Sequence, residues 1–442
     1  MAGIALHNQL RTLKSAAREE TDFLLAVRHQ RDADGFRQRI ARESKSIAAV
    51  VRHHLRLGND DSCVVLPPEA WIQGGLNLCI LVDVVHIPTI NEKVACEVGA
   101  YAWMQEHCAD IRIPHLYAFG FTSGTHFAHI HQRPCWDMCT PSASTAYMLL
   151  EHIGPKTGQM LSATLAQHRR DSPRQDRLFR GLARVMLSLA RLPQPHIGSF
   201  RFNATDGTLY QSTDTFASDM LTMHDNYLLH YRHAVRNDMD ARERMTNRTL
   251  LRAAMHHFIP PDRRNGPFLV QLTDIYQSNI FVDDDWNVLD LERICALPAE
   301  MLAVPYWLTG CTIDDIVGSE YESFDQARQQ FLAAMEEEIK CTTRPVAHDI
   351  PIICTMQDSW SSKAVWFWAC ITSINGWLFV FEDHILPKFG ADRRLIPNLS
   401  RASALWTEGI DAVVKAKVDD EDKYRGELRS LFALAGSPEL QG

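Results

Sequence analysis

No Cys-x-x-Cys pair occurs in this chain of 442 residues, and its 11 cysteines are scattered and odd in number. None stands with histidine at zinc-ligand spacing, so a zinc-finger site, a thioredoxin-type site and a fully paired disulfide scaffold are all excluded. No apolar leader opens the sequence, and the thiols are expected to be reduced, in the cytoplasm. G-x-x-x-x-G-K-[ST] and G-x-S-x-G are absent, which removes a Walker-type phosphate loop and a hydrolase nucleophile elbow. H-R-D, D-F-G and A-P-E are absent too, against a conventional protein Ser/Thr kinase. There is no excess of basic residues: 45 Lys and Arg face 54 Asp and Glu, a formal net charge of −9. That argues against a general nucleic-acid binder and suits a cationic substrate, without locating a site. Long apolar runs are scarce. Ala364 to Phe381 carries no charge but is interrupted by Thr372, Ser373, Asn375 and Gly376. A buried core helix is expected there, not a membrane span.

What is present is an ordinary globular composition, 46% hydrophobic and 22% charged. The length suits two to four domains, or one bilobal unit with extensions. Residues 1–57 have apolar positions at helical spacing among alternating charges, predicting helix. Cys63 to Leu66 and Trp71 to Val85 read as strands or a hairpin, Asn91 to Cys108 as a helix, and LYAFGF after Ile113-Pro114 as a strand. Residues 121–145 read as loop and hairpin, and Ala146 to Ile153 as a buried strand. After Gly154-Pro155 the character turns helical, apart from 193–215 and 268–292. The predicted architecture is α+β: a helical extension over 1–59, a small strand-rich lobe over 60–153, and a helical lobe over 154–442 ending in a charged tail.

The chemistry concentrates in 268–292, FLVQLTDIYQSNIFVDDDWNVLDLE. An apolar strand delivers Thr273-Asp274, and Asn279 follows five residues later. A short strand turns through Asp283 to Asn287, and a second strand presents Asp290 and Glu292. Phosphoryl transfer needs a carboxylate to orient the acceptor hydroxyl and take its proton, with oxygen ligands to hold Mg²⁺ against the phosphates. Asp274 fits the base, and Asn279 and Asp290 fit the metal ligands. The spacing D-x-x-x-x-N is weak by itself, and the plainer alternative makes Asp283 to Asn287 a hairpin turn and Asp274 a cap.

LTDIYQSNIFVDDDW, with DLE, CALPAEML and PYWLTG (Pro305 to Gly310), resembles the fungal branch of the aminoglycoside-phosphotransferase-like family. The bacterial enzymes have HGD at the catalytic loop; the fungal branch commonly has LTD, as at Leu272, Thr273 and Asp274. EVGAYAWMQEHC (from Glu97), IPHLYAFG (from Ile113), YMLLEHI (from Tyr147) and LFRGLARVMLSLARLPQPHIGSF (from Leu178) also match, so the likeness covers about 60–400. The resemblance implies a bilobal, protein-kinase-like fold that uses ATP and Mg²⁺ to phosphorylate a small-molecule hydroxyl acceptor. Adenine would lie against the backbone near Glu151 to Ile153. Gly74, Gly75 and Asn77 would belong to the hairpin over the phosphates. Glu97 would be the helix glutamate that pairs with a cation of the strand-rich lobe.

Two departures stand out. The strand that carries that cation is missing or shortened between Cys79 and Glu97: Asp83 or His86 falls near its place, and Lys93 lies on the helix. The hairpin between Asn279 and Asp290 is also short, and an odd deletion within a strand would turn Asp290 to the other face. Three readings stay open: an active small-molecule kinase with a compressed site, a pseudokinase that binds or scaffolds, and a chain from which pieces were lost. The oligomeric state is not legible. His129 and His131 would share one strand face and His126 the other, a polar face more than a zinc site. Cys135, Cys139 and Cys295 are candidate thiols without a partner motif. The aromatic stripe from Trp366 to Phe381 is expected to be core packing.

Overall fold

The computed structural model describes residues 3–6, 9–19, 22–45, 47–48, 50, 64–65, 68, 71–73, 78–79, 82–83, 91–121, 125–129, 136–139, 147–152, 158–202, 212–291, 294–373, 377–389 and 402–435. It mixes helices with small antiparallel sheets, the α+β composition expected. The chain divides into two compact units, each assembled from separated stretches: Met1–Phe36, Asp214–Pro261 and Trp360–Gly442 in one, Arg37–Thr213 and Asp262–Ser359 in the other.

In the first unit, β1 (Gly3–Leu6) pairs antiparallel with β2 (Gln9–Thr12), and a helical turn, Leu13–Ala16, leads towards α1 (Phe23–Ala41). Residues 3–6 and 9–12 were expected to be helical and are instead paired strands. The chain turns helical at Thr12, whose hydroxyl accepts from the Ser15 N–H while the Ser15 hydroxyl accepts from the Thr12 N–H, closing a capping box.

The second unit carries the strand-rich region. β3 (Val64–Val65) pairs with β6 (Val82–Asp83), and β4 (Ile72–Gln73) with β5 (Leu78–Cys79). α2 (Asn91–His107) precedes a four-stranded sheet in the order β10-β7-β8-β9, formed by β7 (Leu116–Gly120), β8 (His126–His129), β9 (Trp136–Cys139) and β10 (Tyr147–Leu150). The hairpin expected within 121–145 is therefore β8 and β9. α2 buries Val98, Tyr101 and Met104, and the sheet buries Leu116, Phe119 and Leu149. At roughly 1.5–3 kcal/mol for each large side chain fully removed from water, this interface is a main source of the region's stability. His126 is fully buried, its Nδ1 2.8 Å from the Tyr147 hydroxyl, so it belongs to the core. Among the described residues, no group of three or more His, Cys, Asp or Glu is set to hold a metal ion.

β11 (Gln159–Met160) leads to α3 (Ser172–Ala190), capped by Asp171, whose carboxylate accepts from the Arg174 N–H. β12 (Gly198–Ser199) ends this stretch. In the first unit follow α4 (Thr213–His230) and α5 (Asp238–Phe258). The chain then returns through β13 (Leu269–Leu272), β14 (Ile280–Val282), β15 (Val288–Leu291) and β16 (Ile294–Leu297) to the long α6 (Gly318–Cys341). α6 lies along α3, with Phe179 edge-on to Phe331 at 5.7 Å. Beyond it run α7 (Ile352–Ser362), α8 (Ala364–Thr372), a further helical stretch over 377–389, and α9 (Ile410–Ala435). The charge-free stretch is core helix in two pieces, Ala364–Thr372 and from Trp377 on, with Trp366, Phe367, Trp368, Cys370, Ile371, Trp377, Val380 and Phe381 buried and Phe379, expected in the core, exposed. Among the described residues no helix is long and apolar enough to cross a membrane.

Candidate active site

Two small sheets frame the stretch singled out in the sequence. β12, β16 and β13 form one, with Leu272 opposite Ile294 and Ser199 opposite Cys295. β11, β14 and β15 form the other. β13 is anchored by its one polar residue: Gln271 is buried, and its amide donates to the carbonyls of Leu297 and Pro298 (3.3 and 2.7 Å). β13 thus ends at a fixed point, and Asp274 follows it at once.

Between the sheets the backbone folds into a tight loop. The Asp274 carbonyl accepts from the Tyr276 N–H (2.9 Å) and from the Asn279 side-chain amide (3.0 Å), and the Tyr276 carbonyl accepts from the Asn279 N–H (2.8 Å). Because a carbonyl can only accept, the Asn279 NH₂ must face it, and Oδ1 is the end of that side chain turned elsewhere. The Ser278 hydroxyl lies 3.3 Å from that oxygen. A separation of five positions, with four residues between Asp and Asn, is the length that lets the Asn reach back to the Asp carbonyl. Asp274 and Asn279 are both half-buried.

A register shift in the β14–β15 ladder bears on the shortened hairpin. Phe281 pairs with Asp290 and Val282 with Val288, so one extra residue is absorbed at the bulge. Asp290 therefore lies in β15 with its backbone opposite Phe281, one step along from the Ile280–Leu291 pair. The turn itself is held by its own side chains. Asp283 accepts from the N–H groups of Asp285 and Asn287 (both 2.9 Å) and from the Asn287 side chain (2.8 Å). Arg177 donates to the Asp285 carbonyl and carboxylate, Arg174 to the Asp284 carbonyl. Trp286, with φ +66°, is buried and donates to the Thr164 hydroxyl. The acids of this turn are structural, the plainer alternative for Asp283 to Asn287.

Beneath the loop, Cys295 Sγ lies 3.1 Å from the Ser199 hydroxyl. Burial pushes its thiol up, against hydrogen bonds from Ser199 and Thr273, which does not suit a nucleophile. The same sheet edge meets α2. The Phe202 N–H donates to the Ala95 carbonyl, and a Cβ at Gly99 would lie 2.7 Å from the Arg201 nitrogen. Glycine there costs helix stability but lets the helix close on a backbone. Glu97, half-buried, sits on this turn of α2 between the two contacts.

At the end of β10, Glu151 is tied back by its side chain. Arg112 grips the carboxylate with both Nη atoms (2.8 and 2.5 Å), and the His115 N–H donates to it as well. Burial raises the Glu151 carboxyl, but these bonds outweigh it and leave it below its ordinary value. Gly74, Gly75, Asn77 and Ile153 lie outside the described residues, and Asp290 is described through its backbone.

Two residues with no role assigned from the sequence stand at the loop. Trp307, 1% exposed, donates its indole N–H to the Ile275 carbonyl at 2.7 Å. The Tyr306 ring lies 6.4 Å from that of Tyr276. Its phenol is pushed up by burial, then by Tyr276, Asp274 and Asp314. The signal for both was the motif PYWLTG itself, whose aromatics follow a proline and precede a glycine.

No family model and no curated protein sequence matches the chain. Among solved structures, it is similar to a thermostable mutant of aminoglycoside phosphotransferase APH(4)-Ia in its apo form. The TM-score is 0.37 and the identity 11%, over 85% of this chain and 96% of that one.

Proposed function

We propose that the protein is a phosphotransferase that uses ATP and Mg²⁺ to phosphorylate a small-molecule hydroxyl acceptor, with a kinase-like arrangement of its site. The observation that carries this reading is the Asn279 side chain bonded back to the Asp274 carbonyl, which ties the two residues together and leaves the amide oxygen turned away from that carbonyl. A hard amide oxygen and a carboxylate suit Mg²⁺, which takes few protein ligands and keeps several waters. Asn279 and Asp290 would hold the ion, which when bound would neutralise charge on the phosphates. Asp274 would orient the acceptor hydroxyl and take its proton.

The strand-rich lobe over 60–153 and the helical region after it would bind nucleotide between them. With the Glu151 carboxylate engaged by Arg112, the hinge would meet adenine through peptide groups of Glu151 to Ile153. Glu97 would steady the phosphate side, with Gly74, Gly75 and Asn77 above it.

The test is thermal unfolding with Mg²⁺-ATP, paired with ADP release. A ligand at a hundredfold excess over Kd stabilises the native state by about 2.7 kcal/mol. The wild type should show a metal-dependent rise in Tm that Asn279→Ala loses. Asp274→Asn should keep the rise and lose at least ~100-fold in ADP release. A rise without turnover against an acceptor panel would make the protein a nucleotide-binding pseudokinase. No rise at millimolar nucleotide would sink the phosphotransferase reading.

A further inference from the structure

The PYWLTG motif has no part in the proposed chemistry. Its residues form a single 3₁₀ turn over Tyr306–Thr309, started by Pro305 and ended by Gly310 in a left-handed conformation (φ +81°). The Gly310 N–H donates to the Trp307 carbonyl (2.8 Å), and the Arg169 guanidinium donates to the Thr309 carbonyl. α6 packs against the turn, and Trp307 and Leu308 are buried. A turn closed at both ends and packed from behind holds its side chains in one place.

We propose that Trp307 is a positioning residue of this site: by donating to the Ile275 carbonyl, its indole fixes the backbone that carries Asp274. The proposal rests on Asp274 being the base. Loop backbone has no ladder to satisfy its carbonyls, and a buried one must find a donor. The Asp274 carbonyl has two, Tyr276 N–H and Asn279 Nδ2, both local. The Ile275 carbonyl takes its donor from Trp307, 32 positions along the chain, at 2.7 Å. Two consecutive peptides are thereby pinned from opposite directions, one from within the loop and one from a rigid turn outside it. Phenylalanine or leucine would keep the site apolar, in a smaller volume, but supply no donor there. A base displaced by about 1 Å loses on the order of a hundredfold in rate. The pinned peptides are those beside Asp274, while the residues assigned to adenine and to the hairpin over the phosphates lie elsewhere in the chain.

The test compares Trp307→Phe with wild type and Asp274→Asn, using Mg²⁺-ATP with water as acceptor and reading ADP release. Trp307→Phe should lower kcat at least about tenfold, with KM for Mg²⁺-ATP within about twofold. Hydrogen exchange should separately quicken in peptides covering 268–282 and stay unchanged in the β7–β10 sheet. Trp307→His, which keeps a ring N–H, serves as the second variant should Trp307→Phe fail to fold, and its exchange should fall between the two. Turnover that Asp274→Asn abolishes and Trp307→Phe leaves intact would overturn the role of Trp307 alone. Unchanged exchange in 268–282 would overturn it without any reference to activity. If Asp274→Asn turns over as fast as wild type, the base assignment fails, and this role falls with it.

Discussion

Asp283 accepts three hydrogen bonds within five residues, so its carboxylate has a measurable task away from any chemistry. Burial raises the group, but bonds from Asn287 and Asp285, with Arg177 nearby, outweigh it and hold it below its ordinary value. A depressed folded pKa contributes stability above the unfolded value near 3.8, lost as pH falls through the folded one. Asp283→Ala should therefore be less stable by about 1–3 kcal/mol at neutral pH. In urea unfolding, the gap from wild type should close below about pH 4. A constant gap from pH 7 to pH 3 would mean that the carboxylate is not what holds the turn. Residue by residue, the sequence was most legible where an interaction is local. Asp274 and Asn279 could be paired by spacing because their contact spans five positions. Trp307 could not, because its bond to Ile275 exists only once α6 has placed the turn. Nor could the sequence show that the Glu151 side chain is drawn back by Arg112, 39 positions earlier.

At the scale of elements, periodicity served best where one face is buried. α2 and α3 fall where the pattern put them, α8 covers the first half of the expected helix, and the β8–β9 pair lies within the stretch read as loop and hairpin. Residues 3–12 misled because ten residues hold too few turns to separate period 3.6 from period 2. Pairing with a neighbour decided the matter. α9 illustrates a linkage that no pattern announces. His233, between α4 and α5, has Nδ1 2.6 Å from a Glu421 carboxylate oxygen and Nε2 2.8 Å from the Glu19 carbonyl. Both partners accept, so both ring nitrogens donate and the ring is an imidazolium. Arg425 holds the other Glu421 oxygen, the Tyr424 ring stacks on the imidazole at 4.3 Å, and Arg236 opposes the charge. Burial lowers the His233 pKa, but Glu421 and Glu19 outweigh it and raise it above 6.5. Burial raises Glu421, but His233 and Arg425 bring it below 4.5. The histidine's contribution is full below 6.5 and lost as pH rises through its folded pKa. The glutamate's is full above 4.5 and lost as pH falls through its folded pKa. Glu421→Gln should thus cost roughly 3–5 kcal/mol between about pH 5 and 6.5, and less on either side. Tm measured across pH 4–9 checks this, and a flat difference would show that the pair is not ionic.

At the scale of the molecule, the division into two units was not legible. Sequence order suggested an extension, a lobe and another lobe, whereas each unit gathers stretches far apart in the chain. Contiguity is all that composition shifts reveal, and the joining of residues near 23 to residues near 424 leaves no local trace. In the first unit Phe23, Val27, Tyr424, Leu428 and Phe432 share one core with Leu6 and Ala16. A chain ending at 409 would lack α9 and leave Phe23 and Val27 uncovered. Such a truncation should express as aggregate or bind a hydrophobic dye strongly, read by solubility and dye fluorescence beside the full chain. A soluble, dye-negative product with wild-type Tm would show that α9 is dispensable.

The contact between the two ends of the chain has a consequence for how the protein is made. The Phe23 N–H donates to the Tyr424 hydroxyl at a separation of 401 positions, and Phe23 stacks on Phe432 at 5.7 Å. At about 5–20 residues per second of synthesis, residues near the start wait on the order of 20–80 s for these partners to emerge. During that wait Phe23 and Val27 lack the partners that bury them in the finished fold, and residues 37–359 are completed before those partners are made. The second unit can finish folding on the nascent chain, whereas the first closes after the chain is released. Slowing translation would therefore lengthen the lifetime of an open N-terminal segment, and a chaperone that shields exposed apolar side chains would find its substrate there.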